Sequence, residues 1–156
     1  SMGRRTDNAR TETVAEKPSY RTAWRQRQFC LVPVERFFEP CWETGKAVPW
    51  SIHRQDGEPF TVAAIWDRWT ERATGEIVVS FSMLTINAEG HPIMGRFHRP
   101  GDERRSLVVV PPSRWTDWLS ATPDTVRAML AEMPVAEFTS ESVMGLSSAP
   151  AQASFL

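Results

Sequence analysis

The clearest pattern of apolar and polar positions runs from Ile77 to Ile86, where Ile77, Val79, Phe81 and Met83 alternate with Val78, Ser80, Ser82 and Leu84. That period of two predicts a long β-strand. Shorter apolar runs predict more strands. Phe29-Cys30-Leu31-Val32-Pro33 reads as one ended by proline, and Phe37 to Trp42 as another with a carboxylate, Glu39, set inside it. Val48 to His53 is bounded by a hairpin turn at Thr44-Gly45-Lys46 and by Arg54-Gln55-Asp56-Gly57-Glu58, which carries an Asp-Gly turn signal. Phe60 to Trp69 is strand-like, and Ala63, Ala64 and Ile65 predict burial on both of its faces. Ile93 to Phe97 leads to His98, Leu107 to Val110 predicts a strand closed by Pro111-Pro112, and a final strand or extended tail starts at Phe138.

Helical signals lie between these runs. Pro18 to Gln28 predicts a short helix with Tyr20, Ala23 and Trp24 on one face. Ser113 is a candidate N-cap for a helix holding Trp115, Trp118 and Leu119, and Thr122-Pro123 opens a helix over Asp124 to Met133. Several antiparallel strands with peripheral helices give the class α+β. Residues 1–17 are polar without an apolar period and predict an arm lying on the protein's own surface. The Ala/Ser-rich end from Ser147 predicts a frayed terminus. No repeat interrupts the 156 residues, which are expected to form one domain, with Ser1-Met2 a cloning remnant.

Composition narrows the class. The net charge of −1 supplies no global attraction to a polyanion, yet Arg4, Arg5, Arg10, Arg21, Arg25 and Arg27 make the first 30 residues basic, while the last 40 lean acidic. An uneven field of this kind can steer a polyanion to one face, or can be solvated surface. The seven tryptophans are expected mostly in the core, with one or two free to stack on bases. Two cysteines, Cys30 and Cys41, form no close metal pair, and neither a secretion signal nor a membrane-length apolar run is present. A reduced cytoplasmic protein without metal or cofactor is the simplest reading.

Four places carry candidate chemistry. Glu39 lies between Phe38 and Pro40, where desolvation favours a proton-transfer role. A strand-end carboxylate paired with an arginine is the plainer alternative. His98 follows an apolar residue and precedes a turn and a charge cluster, so it suits a proton carrier near neutral pH. His53 and His91 are expected at the surface, solvated. In Asn8-Ala9-Arg10-Thr11-Glu12-Thr13, Asn8 could donate to an oxygen and Arg10 could bind a phosphate, or the segment could be a disordered arm. Cys30, between Phe29 and Leu31, is expected buried and inert, and Cys41 is less constrained.

Taken in order, these segments resemble the SRAP (SOS-response-associated peptidase) family. The matching blocks are Asn8 to Thr13, Phe29 to Pro33, Phe37-Phe38-Glu39-Pro40, Ala64 to Trp69, Ser82-Met83-Leu84-Thr85, Phe97 to Arg104, and Trp115 to Leu119. They cover roughly residues 8–120; each is weak alone, and their shared order is the evidence. The resemblance implies a curved, mainly antiparallel, barrel-like sheet with peripheral helices. It implies a protein that shields abasic sites in single-stranded DNA through a covalent thiazolidine made by a cysteine next to the initiator methionine. A proposed self-processing peptidase activity uses the same site. By resemblance, Asn8 orients the terminal amine or the sugar, Glu39 handles protons at the amine, and His98 promotes ring opening. Arg10 and Thr85 match positions at the DNA backbone and the site's edge.

The chain departs from the family at its start. Met2-Gly3-Arg4-Arg5 has no cysteine, and Asn8 follows almost at once. The expectation is a shortened copy that keeps the acid/base residues and does not form the crosslink. Pro40 stands where many members have tryptophan. A non-catalytic single-stranded DNA-binding module, and an inactive fragment that pairs with a second copy by strand exchange into a homodimer, are the alternatives.

Overall fold

The structure is a computed structural model and describes residues 8–145. Eight strands and three short helices follow in the order β1 (Ala9–Arg10), α1 (Arg21–Arg25), β2 (Phe29–Val34), β3 (Arg36–Cys41), β4 (Val48–Arg54), β5 (Phe60–Thr70), β6 (Ile77–Asn87), β7 (Arg105–Leu107), α2 (Trp115–Leu119), α3 (Pro123–Arg127) and β8 (Phe138–Ser142). The strands form two sheets. One has the order β1-β6-β5-β2 with β7 also on β6, and the other has the order β3-β4-β8. All pairings are antiparallel except β1 with β6. The class is α+β, as the alternation of strand signals with short helical signals predicts.

Strand alternation explains the large hairpin. Antiparallel pairing of β5 with β6 runs from Thr70↔Ile77 to Ala64↔Met83 and then stops. Beyond that point Arg105–Val110 lies between the two strands. It is laddered to β6 through Thr85↔Leu107 and bonded to β5 by Ala63 N–H to the Val108 carbonyl (2.8 Å) and Val110 N–H to the Thr61 carbonyl (2.9 Å). The apolar run Leu107 to Val110 therefore crosses from one strand to the other, and only its first residue belongs to a regular ladder. Val62, Ala63 and Ala64 are fully buried, as their unbroken apolar run predicts.

Two apolar clusters fill the interior. One gathers Trp24, Phe29, Ile65, Leu84 and Trp118, with the Trp24 and Phe29 rings edge to face at 5.4 Å. The other gathers Ile52, Phe60, Met94, Phe97 and Phe138, with Phe60 and Phe138 edge to face at 4.9 Å.

Several elements differ from expectation. Residues from Ala9 onward are no surface arm: Ala9 and Val14 are fully buried, and β1 joins the sheet through Ala9↔Leu84 and Arg10↔Thr85. The first helix is confined to Arg21–Arg25, preceded by turns and stopped where Arg27 turns left-handed at φ 58°. Ser113 caps nothing; it sits in a 3-10 turn over Pro112–Arg114 that runs into α2. Thr122 does cap α3, through a reciprocal box with Thr125, but the helix ends at Arg127. Pro134 disfavours helical backbone at Met133, whose carbonyl instead receives His91. Only Trp24 and Trp118 of the seven tryptophans are buried; Trp42, Trp50, Trp66 and Trp69 are half-buried and Trp115 is exposed. The segments where a cloning remnant at Ser1-Met2 and a frayed end from Ser147 are expected lie outside the described residues.

Candidate active site

Glu39 and His98 arrive at one place from two elements. On β3 the alternation turns Phe37, Glu39 and Cys41 inward and Arg36, Phe38 and Pro40 outward. β3 is an edge strand, so Pro40 costs no ladder bond there, and its carbonyl is left available. That carbonyl accepts the His98 N–H at 3.1 Å, and Cys41 bridges Phe97 beside it. Phe97 is fully buried and anchors the segment. His98 then adopts φ 72°, a left-handed backbone that histidine tolerates better than branched residues but at some strain.

This geometry brings His98 Nδ1 to 3.4 Å from Glu39 Oε2, with side chains 18% and 23% exposed, so both groups are largely shielded yet reachable. Desolvation holds the Glu39 carboxyl above its ordinary 4.5, and the charge of His98 opposes that rise in part. The other ring nitrogen, Nε2, lies 3.0 Å from the backbone carbonyl of Arg105. The pair opens on a cleft of about 520 Å³ whose other walls are Arg10, Trp42, Arg99, Asp102, Glu103 and Arg105. The Arg99 guanidinium lies over the Trp42 ring at 5.8 Å.

Arg10, Glu103 and Arg105 in the cleft are already paired. Glu103 bonds Arg10 at 2.5 Å, Arg105 at 3.0 Å and the Asn87 amide at 2.9 Å. The Asn87 and Arg105 bonds, in that order, hold its carboxyl below the usual range, with the charges of Arg105 and Arg10 helping. Arg105 also forks onto Glu12 at 2.9 Å from both terminal nitrogens. Arg104 ties the loop above, donating to the carbonyls of Gly95, Arg99 and Asp102.

Of the residues singled out in the sequence, Glu39, His98 and Arg10 meet at the cleft. Asn8 is exposed, one residue ahead of β1, and is not part of the cleft wall. Thr85 is buried beneath it, accepting from Arg105 on both its hydroxyl and its carbonyl. Cys30 is half-buried and burial pushes its thiol up to about 11, while Cys41 is buried in the second core cluster. His91 is not solvated: it is 3% exposed, Nε2–H donates to the Met133 carbonyl at 2.7 Å, and Nδ1 accepts from the N–H groups of Ile93 and Met94. His53 is likewise half-covered, 3.8 Å from Glu141. Sequence reasoning missed Trp42, Glu12, Glu103 and Arg105. The signal for the last two was the dense charge run Asp102-Glu103-Arg104-Arg105 immediately before an apolar strand. Among the described residues no group of three or more His, Cys, Asp or Glu is placed to hold a metal ion, and no helix is long and apolar enough to cross a membrane.

Comparison with known proteins shows the family. The family model of the SOS response associated peptidase (SRAP) matches residues 1–146. The chain belongs to this family. Abasic site processing protein YobE of Bacillus subtilis (strain 168) is 24% identical over 155 residues, covering 96% of this chain and 66% of the relative. Abasic site processing protein YoaM of the same organism is 23% identical, with 96% and 63% covered. This SRAP chain thus spans just under two thirds of the length of these relatives. A crystal structure of a Bordetella bronchiseptica protein superposes with a TM-score of 0.83 at 38% identity, over 86% of this chain and 64% of that one. One from Bacteroides thetaiotaomicron gives 0.74 at 24% identity, over 92% and 61%, and supports the SRAP fold alone.

Proposed function

We propose that this chain binds single-stranded DNA at an abasic site and that Glu39 and His98 open the deoxyribose ring there. The observation that carries the reading is the shielded pair at 3.4 Å on the wall of a cleft that also holds Arg10. Family membership and the names of the relatives supply the substrate class.

The proton balance suits ring opening. The hemiacetal hydroxyl on C1′ loses a proton to a base, the C1′–O4′ bond breaks with its electron pair going to O4′, and O4′ takes up a proton. The products are an aldehyde and a 4′-hydroxyl, with no net gain or loss of protons. A carboxylate and an imidazole sharing one proton can accept at one step and return at the other. Arg10 would hold a flanking phosphate, Asn8 would lie at the rim beside the sugar, and Thr85 would support the floor. Trp42 offers a face for a flanking base.

The family's covalent step, and the peptidase activity in its name, would draw on the same pair but also need a thiol beside a free amine. Cys30, with its thiol pushed up to about 11, and the buried Cys41 do not provide one at the cleft. Fluorescence anisotropy on matched strands tests the binding. Tighter binding of the abasic strand, weakened by Glu39→Ala or His98→Ala, is the expected result. Equal affinity for intact strands, indifferent to both substitutions, would establish a non-catalytic DNA-binding module instead.

A further inference from the structure

We propose that Arg105 is a positioning residue for His98, acting through its backbone carbonyl, and that Glu12 holds it in place. The inference rests on the ring-opening reading for its consequence, but its geometry stands independently.

A carbonyl oxygen only accepts. At 3.0 Å from Nε2, the Arg105 carbonyl therefore requires that nitrogen to carry the hydrogen. The neutral ring is the Nε2–H tautomer, and the lone pair is on Nδ1, which faces Glu39 at 3.4 Å. A proton shared by the pair lies either on the Glu39 carboxyl or on Nδ1. Nε2 is occupied, so proton traffic with the substrate runs through Nδ1 and Glu39.

The carbonyl is in the right place because the Arg105 side chain is bolted down. It is 11% exposed, and its guanidinium bonds elements separate in sequence. It donates to Thr85 on β6 (2.7 Å to the carbonyl, 3.0 and 3.3 Å to the hydroxyl), to both Glu12 oxygens at 2.9 Å, and to Glu103 at 3.0 Å. The Glu12 carboxyl is held below its usual range by that hydrogen bond and, more weakly, by the charge of Arg105, with burial opposing. The planar fork matches the carboxylate in a way lysine cannot reproduce. At the same position the Arg105 backbone pairs with Asn87 in the β6–β7 ladder.

Long-range 1H–15N correlation spectra of the imidazoles read the tautomer directly, with His98 assigned from a His98→Gln sample. The wild-type protein is expected to show the Nε2–H pattern. Arg105→Lys and Glu12→Gln, each shown folded by circular dichroism, are expected to shift His98 toward a mixture. Both are also expected to slow, by about tenfold, capture of the DNA aldehyde by an O-alkylhydroxylamine, without changing the half-saturating DNA concentration. An Nδ1–H ring in the wild type, or a wild-type tautomer in both variants, overturns the proposal. So does a change confined to half-saturation, which would make Arg105 a simple phosphate contact. If wild-type protein gives no acceleration while the tautomer still shifts, ring opening fails and the positioning role stands.

Discussion

Glu39 is the residue whose environment has the most direct energetic signature. Its carboxyl is raised above 4.5 by desolvation, against the opposing charge of His98. The folded state therefore binds the proton more tightly than the unfolded chain. The stability this confers is complete below the unfolded value and is lost as pH rises through the folded one. Glu39→Gln removes that loss. It is expected to leave stability unchanged at about pH 4 and to raise it at about pH 8, measured as urea midpoints. Glu103 makes a second case. Its carboxylate occupies Arg10 where a phosphate would compete. Glu103→Gln is expected to tighten binding of single-stranded DNA modestly, read by fluorescence anisotropy, because an exposed ion pair withholds little. The residue scale is also where the sequence was most and least legible. Glu39 stood out because a charged group inside an apolar run is costly without a purpose, and His98 because it sits between an apolar residue and a turn. Arg105 and Glu12 did not, because their partners are 93 positions apart, and no local pattern encodes that meeting. His91 looked solvated beside Gly90 and Pro92, but the turn that those residues make folds its ring inward onto Met133.

At the scale of elements, short helices depend on their caps more than on length. The Thr122–Thr125 box satisfies donors at the start of a five-residue helix. Thr122→Ala is expected to cost about 1 kcal/mol, read from denaturant midpoints. Four strand starts were legible, since Phe29, Val48, Phe60 and Ile77 begin strands in the structure as apolar periodicity predicts. Helix ends were not. The apolar spacing of Val126, Met129 and Leu130 continues past Arg127, and the backbone does not, because Pro134 and the His91 contact redirect it. The split of β5 from β6 around Val108 was also hidden, as it depends on a segment more than 20 residues downstream of β6's start.

For the whole molecule, the two sheets meet the family's expected curved antiparallel core, and the aromatic packing around Phe138 joins β8 to β5. Phe138→Ala is expected to cost about 3–5 kcal/mol because the ring is 2% exposed against Phe60. Val79 on β6 is 66% exposed, and Val79→Lys is expected to stay within about 0.5 kcal/mol of wild type. The same thermal-melt series checks both. Resemblance identified the family where physical reading of single residues left several alternatives standing, because the order of seven weak blocks carries information that no one block holds.

The central claim is that the Glu39–His98 pair acts on an abasic sugar. The rate at which an O-alkylhydroxylamine captures the aldehyde of an abasic single strand tests it most directly, measured with the wild-type protein, Glu39→Gln and His98→Ala at saturating protein. The account predicts acceleration by the wild type and a loss of about two orders of magnitude in either variant, the range of general acid–base catalysis. Capture no faster than in buffer, or equal in all three proteins, would contradict it.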